Sequence, residues 1–473
     1  MTARVFGAID IGASGGRVMA GVVHRDATTL HTVHRFPNGA LHRDGHLRWD
    51  LTALFAEVLT GLRALARGFP EVESVGIDTW AVDYGLLDSD GALLAEPVSY
   101  RDTRSDAAVP RVHERVSRDA LYAVNGLQFL PFNTLYQLEA ERESPLWDKA
   151  AHLVLIPDLL AYWLTGALAT EATNASTTGL VDVRTGQWST QLLDDLAIPP
   201  ALLPPLEQPG TIRGRLLPAV LDQTGLSPRT VVTTVGSHDT ASAVVGVPAT
   251  SSRFAYVSSG TWSLVGLELD KPVLTAESQQ ANFTHEGGVD GRIRFLRNVG
   301  GLWLLQESLR DWAATGRPFT AADLLGEAEA LPAGGPVVDV DDPTFIPPDD
   351  MPARISAAAV SAGLAPPSTP AQTVRCILDS LATAYARTVR QATTLAQQDA
   401  DVIHIVGGGS QNALLGQLTA DLSELPVTAG PVEATALGNV LVQARAVGAA
   451  PATLEQIRAG LARTQAVRRY RPS

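Results

Sequence analysis

Val5-Phe6-Gly7-Ala8-Ile9-Asp10-Ile11-Gly12-Ala13-Ser14-Gly15-Gly16-Arg17 is the stretch from which the rest of the chain is understood. Residues 5–11 read as a buried strand, 12–16 as a turn of small residues and 17–24 as a second strand. The P-loop and the dinucleotide fingerprint both need a helix after their glycines, and no Gly-Lys-Ser/Thr follows here, so neither is present. A turn built of Gly, Ala and Ser still lets a phosphate approach backbone N–H groups closely. Asp10, at the end of the first strand, is placed to orient a metal ion through water.

The pattern returns in the second half. Residues 254–257 read as a strand, Ser258-Ser259-Gly260-Thr261 as a turn and 262–269 as another strand. A third glycine site follows, where the strand 402–406 runs into Gly407-Gly408-Gly409 and a helix is expected over 411–425. Two small-residue hairpins followed by strand, glycines and helix form the pattern of an actin-like ATP clamp. The expected fold is α/β, with two actin-like (ribonuclease H-like) lobes and ligands in a cleft between them. The lobes are expected over 1–246 and 247–473, parted by the Pro/Ser/Thr-rich stretch 246–252.

Between the hairpins lies Gly236-Ser237-His238-Asp239-Thr240-Ala241-Ser242-Ala243-Val244, entered by a β-branched run and left by a small-residue helix. A carboxylate at a helix start stays ionised beside free N–H groups and can take a proton from a hydroxyl. The plainer alternative is that Ser237 or Asp239 caps the helix. Upstream, Asp78-Thr79-Trp80-Ala81-Val82-Asp83-Tyr84, Tyr100-Arg101-Asp102-Thr103-Arg104 and Phe129-Leu130-Pro131-Phe132-Asn133-Thr134 place carboxylates, Arg and Asn near aromatic rings. Such a set suits a sugar, with hydroxyl-rich edges and apolar faces; it equally suits a core beside a solvated ion-pair surface. Asn298, Gly300 and Gly301 precede an apolar helix over 302–312 that carries Gln306, and Asn298 is either a site residue or that helix's cap.

Composition narrows the partners. The 473 residues exceed one core, and length alone suggests about three domains. The net charge of −14, without a Lys/Arg cluster, argues against nucleic acid and anionic membranes. One cysteine, Cys376, excludes an internal disulfide and fits a reducing cytoplasm. No secretory leader is expected before Asp10 and no apolar run is long enough to span a bilayer. Residues 339–370, rich in Pro and Asp, read as an irregular insertion, 373–397 as a long helix and 453–463 as a last surface helix.

The motifs Gly76-Ile77-Asp78-Thr79-Trp80, Phe129 to Tyr136, Ser237 to Ser242, Ser258 to Ser263, Gly301 to Gln306 and Gly430 to Thr435 stand in one order along nearly the whole chain. Together they resemble the FGGY carbohydrate kinase family. The resemblance implies ATP-dependent phosphorylation of a sugar, with Asp239 as general base. It implies that Ala81, His238, Asp239, Thr240 and Asn298 line the sugar. Ala13, Ser14, Gly15, Gly16, Arg17, Thr261, Gln306 and Gly408 would contact ATP, and Mg²⁺ would bridge the phosphates near Asp10. The implied small-molecule partners are ATP and L-rhamnulose, with L-fuculose or xylulose as alternatives; a non-catalytic sugar sensor is a more distant one. Two positions depart from the family: Gly15 stands where a Ser is frequent, and Ala81 where Gly is usual. At Ala81 an allowed backbone is expected, because β-branched Val82 fits an ordinary strand end.

Overall fold

Residues 6–11 are all buried, so the first strand is apolar on both faces, as a central strand between layers must be. The structure is a computed structural model and describes residues 3–25, 27–69 and 71–473. In chain order, the elements that position the site are β1 (Arg4–Gly12), β2 (Gly15–Val23), β3 (Thr28–Pro37), α1 (Leu51–Gly68), β4 (Val72–Thr79), β5 (Ile212–Arg215), β6 (Val231–Thr233) and α2 (Asp239–Val245). Then come β7 (Phe254–Ser259), β8 (Trp262–Leu269), β9 (Ile293–Gly300), α3 (Trp303–Ala314), α4 (Met351–Ser361), α5 (Pro370–Ala396) and β10 (Val402–Val406). The last are α6 (Ala413–Ser423), β11 (Val427–Ala429), α7 (Ala434–Ala446), α8 (Leu454–Thr464) and β12 (Arg468–Tyr470).

The chain forms two units. The first comprises Met1–Thr250, Glu268–Phe295 and Ala434–Thr464. Its sheet runs β5-β6-β4-β1-β2-β3. β1 is antiparallel to β2 and parallel to β4, β4 is parallel to β6, and β5 returns antiparallel at the edge. Helix α1 starts where Asp50 accepts the Ala53 N–H at 3.0 Å. Its Leu51, Leu54, Val58, Leu62 and Leu65 share one face and join Ile9, Val18 and Val75 in one core.

The second unit comprises Ser251–Leu267, Leu296–Glu433 and Gln465–Ser473. Within it the strand order is β9-β8-β7-β10-β11-β12. β7 is antiparallel to β8 and parallel to β10, β10 is parallel to β11, and β12 closes the edge antiparallel. Six strands of each sheet thus run third, second and first strand of the unit, then two parallel strands, then an antiparallel edge; the second sheet has seven strands in all. The repeated hairpins are a repeated topology, and the fold is the expected two-unit, actin-like α/β architecture.

Several local expectations change. β1 and β2 pair as far as Gly12 and Gly15, so the first turn shrinks to Ala13 and Ser14. The insertion at 339–370 contains α4, whose Met351, Ile355 and Ala359 are buried at four-residue spacing. α5 starts three residues early because Thr369 caps it and Pro370 fits the first helical turn. The helix expected from 411 begins at Ala413, because Asn412 caps it after a 3₁₀ turn.

A single cut at 246/247 follows the sequence, whereas packing adds two later segments to the first unit. In one, His285 is buried between Gly126 O, which its Nδ1–H meets at 2.8 Å, and the Val273 N–H, which Nε2 accepts at 2.9 Å. In the other, α7 lies against α2 so closely that a Cβ on Gly438 would stand 1.9 Å from Ser242 O. Gly438→Ala should therefore destabilise the protein. Overpacking against backbone costs about 1–3 kcal/mol, which exceeds the ~1 kcal/mol that Ala gains over Gly in a helix. Urea unfolding checks this; an unchanged or raised midpoint would show that the two helices separate freely.

Candidate active site

The parallel strands of the first unit end together. Asp10 on β1 lies in register with Asp78 on β4, and Thr79, the last residue of β4, bridges to His238. Three carboxylates, Asp10, Asp78 and Asp239, therefore gather at one end of the sheet. Asp10 is ion-paired with Arg17, whose Nε and Nη2 donate to Oδ2 at 3.0 and 2.7 Å. Asp78 is fully buried; Asn439 of α7 donates to Oδ2 at 2.6 Å, and Oδ1 has no hydrogen-bond partner. Burial first, then the charge of Asp10, holds its pKa well above the carboxylate range. Among the described residues no group of three or more His, Cys, Asp or Glu is arranged to hold a metal ion.

Asp239 is the first residue of α2, and 34% of its side chain remains open to solvent. The capping alternative fails. His238 occupies the N-cap position without a side-chain cap bond, and the Ser237 hydroxyl turns instead to Glu171 at 2.8 Å. Asp239 Oδ1 accepts from the Thr240 hydroxyl at 3.1 Å and lies 3.4 Å from His238 Nε2. Its pKa is raised by burial foremost and by Asp10, against the pull of His238 and Thr240. A carboxylate so placed, partly open and reluctant to ionise, has the character of a proton acceptor.

The wall after β4 was only partly foreseen. Ala81 has an ordinary backbone, but Val82 sits at φ +67°, so it is no ordinary strand end. A β-branched residue there is strained, and the fold imposes it. Val82 O accepts from Thr134 Oγ1 at 2.7 Å and Gln137 Nε2 at 3.3 Å. Next to it, buried Asp83 accepts from Trp49 Nε1 at 2.6 Å, Trp80 Nε1 at 3.0 Å, Gln137 Nε2 at 3.0 Å and Tyr100 N at 3.2 Å. Burial pushes its pKa up to about 6 against all these donors. Trp80 is therefore core, tilted against Trp49 with 4.3 Å between ring centroids. Arg104 is no solvated ion pair either, for it and Glu141 are largely buried together.

The first hairpin borders an open pocket of about 510 Å³ lined by Asp10, Gly12, residues 14–17 and, unforeseen, Arg35. Ala13 is not among its walls. Thr261, Gln306, Gly408 and Asn298 belong to the second unit. The carbonyls of Gly260 and Thr261 accept the N–H groups of Leu302 and Trp303 at 3.0 and 3.1 Å, which ties the second hairpin to the start of α3. Gln306 is exposed on the first turn of α3. Asn298 lies inside β9 and caps nothing, since the α3 cap position is Leu302. Gly407 needs its glycine for φ +83°, whereas Gly408 is exposed with open space where a Cβ would be.

The N-terminal domain of the FGGY family of carbohydrate kinases matches residues 5–246, and its C-terminal domain matches 255–447. The chain belongs to the FGGY family of carbohydrate kinases. This kinase is 44% identical to the rhamnulokinase of Pectobacterium carotovorum, over 98% of this chain and 92% of the relative. To that of Enterococcus faecalis it is 43% identical, over 94% and 90%. A crystal structure of gluconate kinase from Lactobacillus acidophilus superposes with a TM-score of 0.82, at 17% identity, over 100% of this chain and 94% of that one. That last likeness speaks for the fold.

Asp78, Asn439, Glu171, Glu286 and Arg294 complete the candidate site of the first unit; sequence reasoning placed Asp78 within its stretch without giving it a role and did not single out the other four. Only Asp78 left a signal, a charge closing the apolar run 75–77. The Val82 strain is testable. Val82→Gly relieves about 1–2 kcal/mol of backbone strain, while the freer unfolded chain costs about 0.5–1 kcal/mol. The Tm of the Gly variant should hold or rise, where the same change in an ordinary strand would lower it.

Proposed function

We propose that this kinase transfers the γ-phosphoryl group of ATP to the C1 hydroxyl of L-rhamnulose, in L-rhamnose catabolism. The observation that carries the substrate is the 40–44% identity to curated relatives named rhamnulokinase along nearly the full chain. The family supplies the reaction class. Asp239 takes the hydroxyl proton as the hydroxyl attacks the γ-phosphorus. His238, Thr240, Ala81 and Asn298 orient the sugar. ATP is held by residues 13–17 with Thr261, Gln306 and Gly408. The proposed lobes are 1–246, which carries the first phosphate hairpin and Asp239, and 247–473, which carries the second hairpin.

Mg²⁺, the usual companion of ATP, fits the hard oxygen donors at the ends of β1 and β4. Asp10 would hold it through water beside the unpartnered Asp78 Oδ1, and when bound it neutralises phosphate charge. The residues of the chain align and neutralise, which is most of what phosphoryl transfer requires. The proposed compartment is the cytoplasm, supported by the single buried cysteine. Among the described residues no helix is long and apolar enough to cross a membrane.

A coupled ADP-release assay tests the reading. Asp239→Asn should keep the fold and lose about 100- to 10,000-fold in kcat; near-normal turnover would remove Asp239 from the chemistry. The base works ionised, and burial with Asp10 favours its protonated form, so activity should fall with falling pH while still above the ordinary Asp range of about 4. kcat/KM should be higher on L-rhamnulose than on L-fuculose or D-xylulose, and the reverse order would reassign the sugar.

A further inference from the structure

Two buried ions compete for one nitrogen of His238. Arg294 on β9 has no exposed surface, and its Nη2 lies 3.0 Å from His238 Nδ1. Glu286 Oε2 lies 3.2 Å from the same Nδ1. The two ions also pair with each other, Arg294 Nη1 to Glu286 Oε2 at 3.1 Å, and Arg294 Nε is anchored on Gly287 O at 2.9 Å. On the far side of the ring, Nε2 faces Asp239 Oδ1 at 3.4 Å.

A guanidinium only donates and stays charged, so it requires a lone pair on Nδ1, whereas a carboxylate requires a proton there. Arg294 has the shorter contact, and the charge of Glu286 is already met by Nη1 of the same side chain. We infer that Arg294 is a positioning residue that fixes His238 as the Nε2–H tautomer, turning an N–H toward Asp239. The inference rests on the reading of Asp239 as the base. Oδ1 is then engaged by the His238 N–H and the Thr240 hydroxyl, which leaves Oδ2 to receive the proton of the sugar hydroxyl. A lone pair on Nε2 would instead repel the carboxylate and compete for that proton.

The test is the imidazole ¹⁵N spectrum of the full chain, labelled at histidine, at pH 8. His238 is identified by the signals lost in His238→Gln. The expected result is a bare, pyridine-like Nδ1 with a protonated Nε2, unchanged in Glu286→Gln. A protonated Nδ1 with bare Nε2, or averaging between tautomers, would overturn the inference. In Arg294→Gln, whose amide can donate or accept, the preference should vanish and kcat fall about tenfold or more, with the sugar KM moving far less. Arg294→Lys should restore part of both. If Arg294→Gln does not fold, the wild-type and Glu286→Gln spectra still decide. The spectrum needs neither sugar nor turnover, so failure of the proposed reaction would appear in the assay and not here.

Discussion

One buried carboxylate, Glu171, holds the turn on which the site is built. It accepts the backbone N–H groups of Thr173, Asn174 and Ser237 at 2.7, 3.0 and 3.0 Å, and the hydroxyls of Thr173 and Ser237 at 2.6 and 2.8 Å. Five donors meet a charge with no exposed surface, and each left unmade would cost about 1–3 kcal/mol. Behind it, the Glu171 N–H donates to Asp158, which pairs with Arg213 at 2.7 Å; Arg213 pairs again with Glu207 at 2.7 Å. Desolvation offsets much of the attraction in such buried pairs. Their role here is geometric: the entry to α2 has one place to sit, and His238 and Asp239 sit with it.

Geometry and charge are coupled at that place. The charge of Asp10 raises the cost of ionising both Asp78 and Asp239, and within this cluster Arg17 is the cation paired with Asp10. A second strained feature flanks them, for the left-handed Val82 is held by Thr134 and Gln137 while Asp83 beneath it binds two indole N–H groups. Strain and unfavourable charge persist only where the surrounding fold over-determines them.

The parts of this architecture that repeat or are contiguous were legible in the sequence. The small-residue hairpins, the strand entering Gly407 and the His238-Asp239-Thr240 corner are short-range patterns, and the fold carries each of them. What was not legible depends on distant partners. Glu171 meets Ser237 across 66 positions, Arg294 meets His238 across 56 and Asn439 meets Asp78 across 361. No propensity or spacing signals such a bond. Val82 was misread for the opposite reason: its β-branched side chain argues correctly for a strand, and tertiary hydrogen bonds to its carbonyl override the preference. The helix α4 was hidden by the Pro and Asp residues that flank it.

Product identification decides most directly whether the corner at Asp239 serves the proposed reaction. The full chain is incubated with ATP, Mg²⁺ and L-rhamnulose labelled with ¹³C at C1, and the mixture is followed by ³¹P and ¹³C NMR. The expected result is a new phosphomonoester whose phosphorus couples to the labelled carbon, formed in step with ADP. An ester on an unlabelled carbon, or ADP released without any ester, would contradict it.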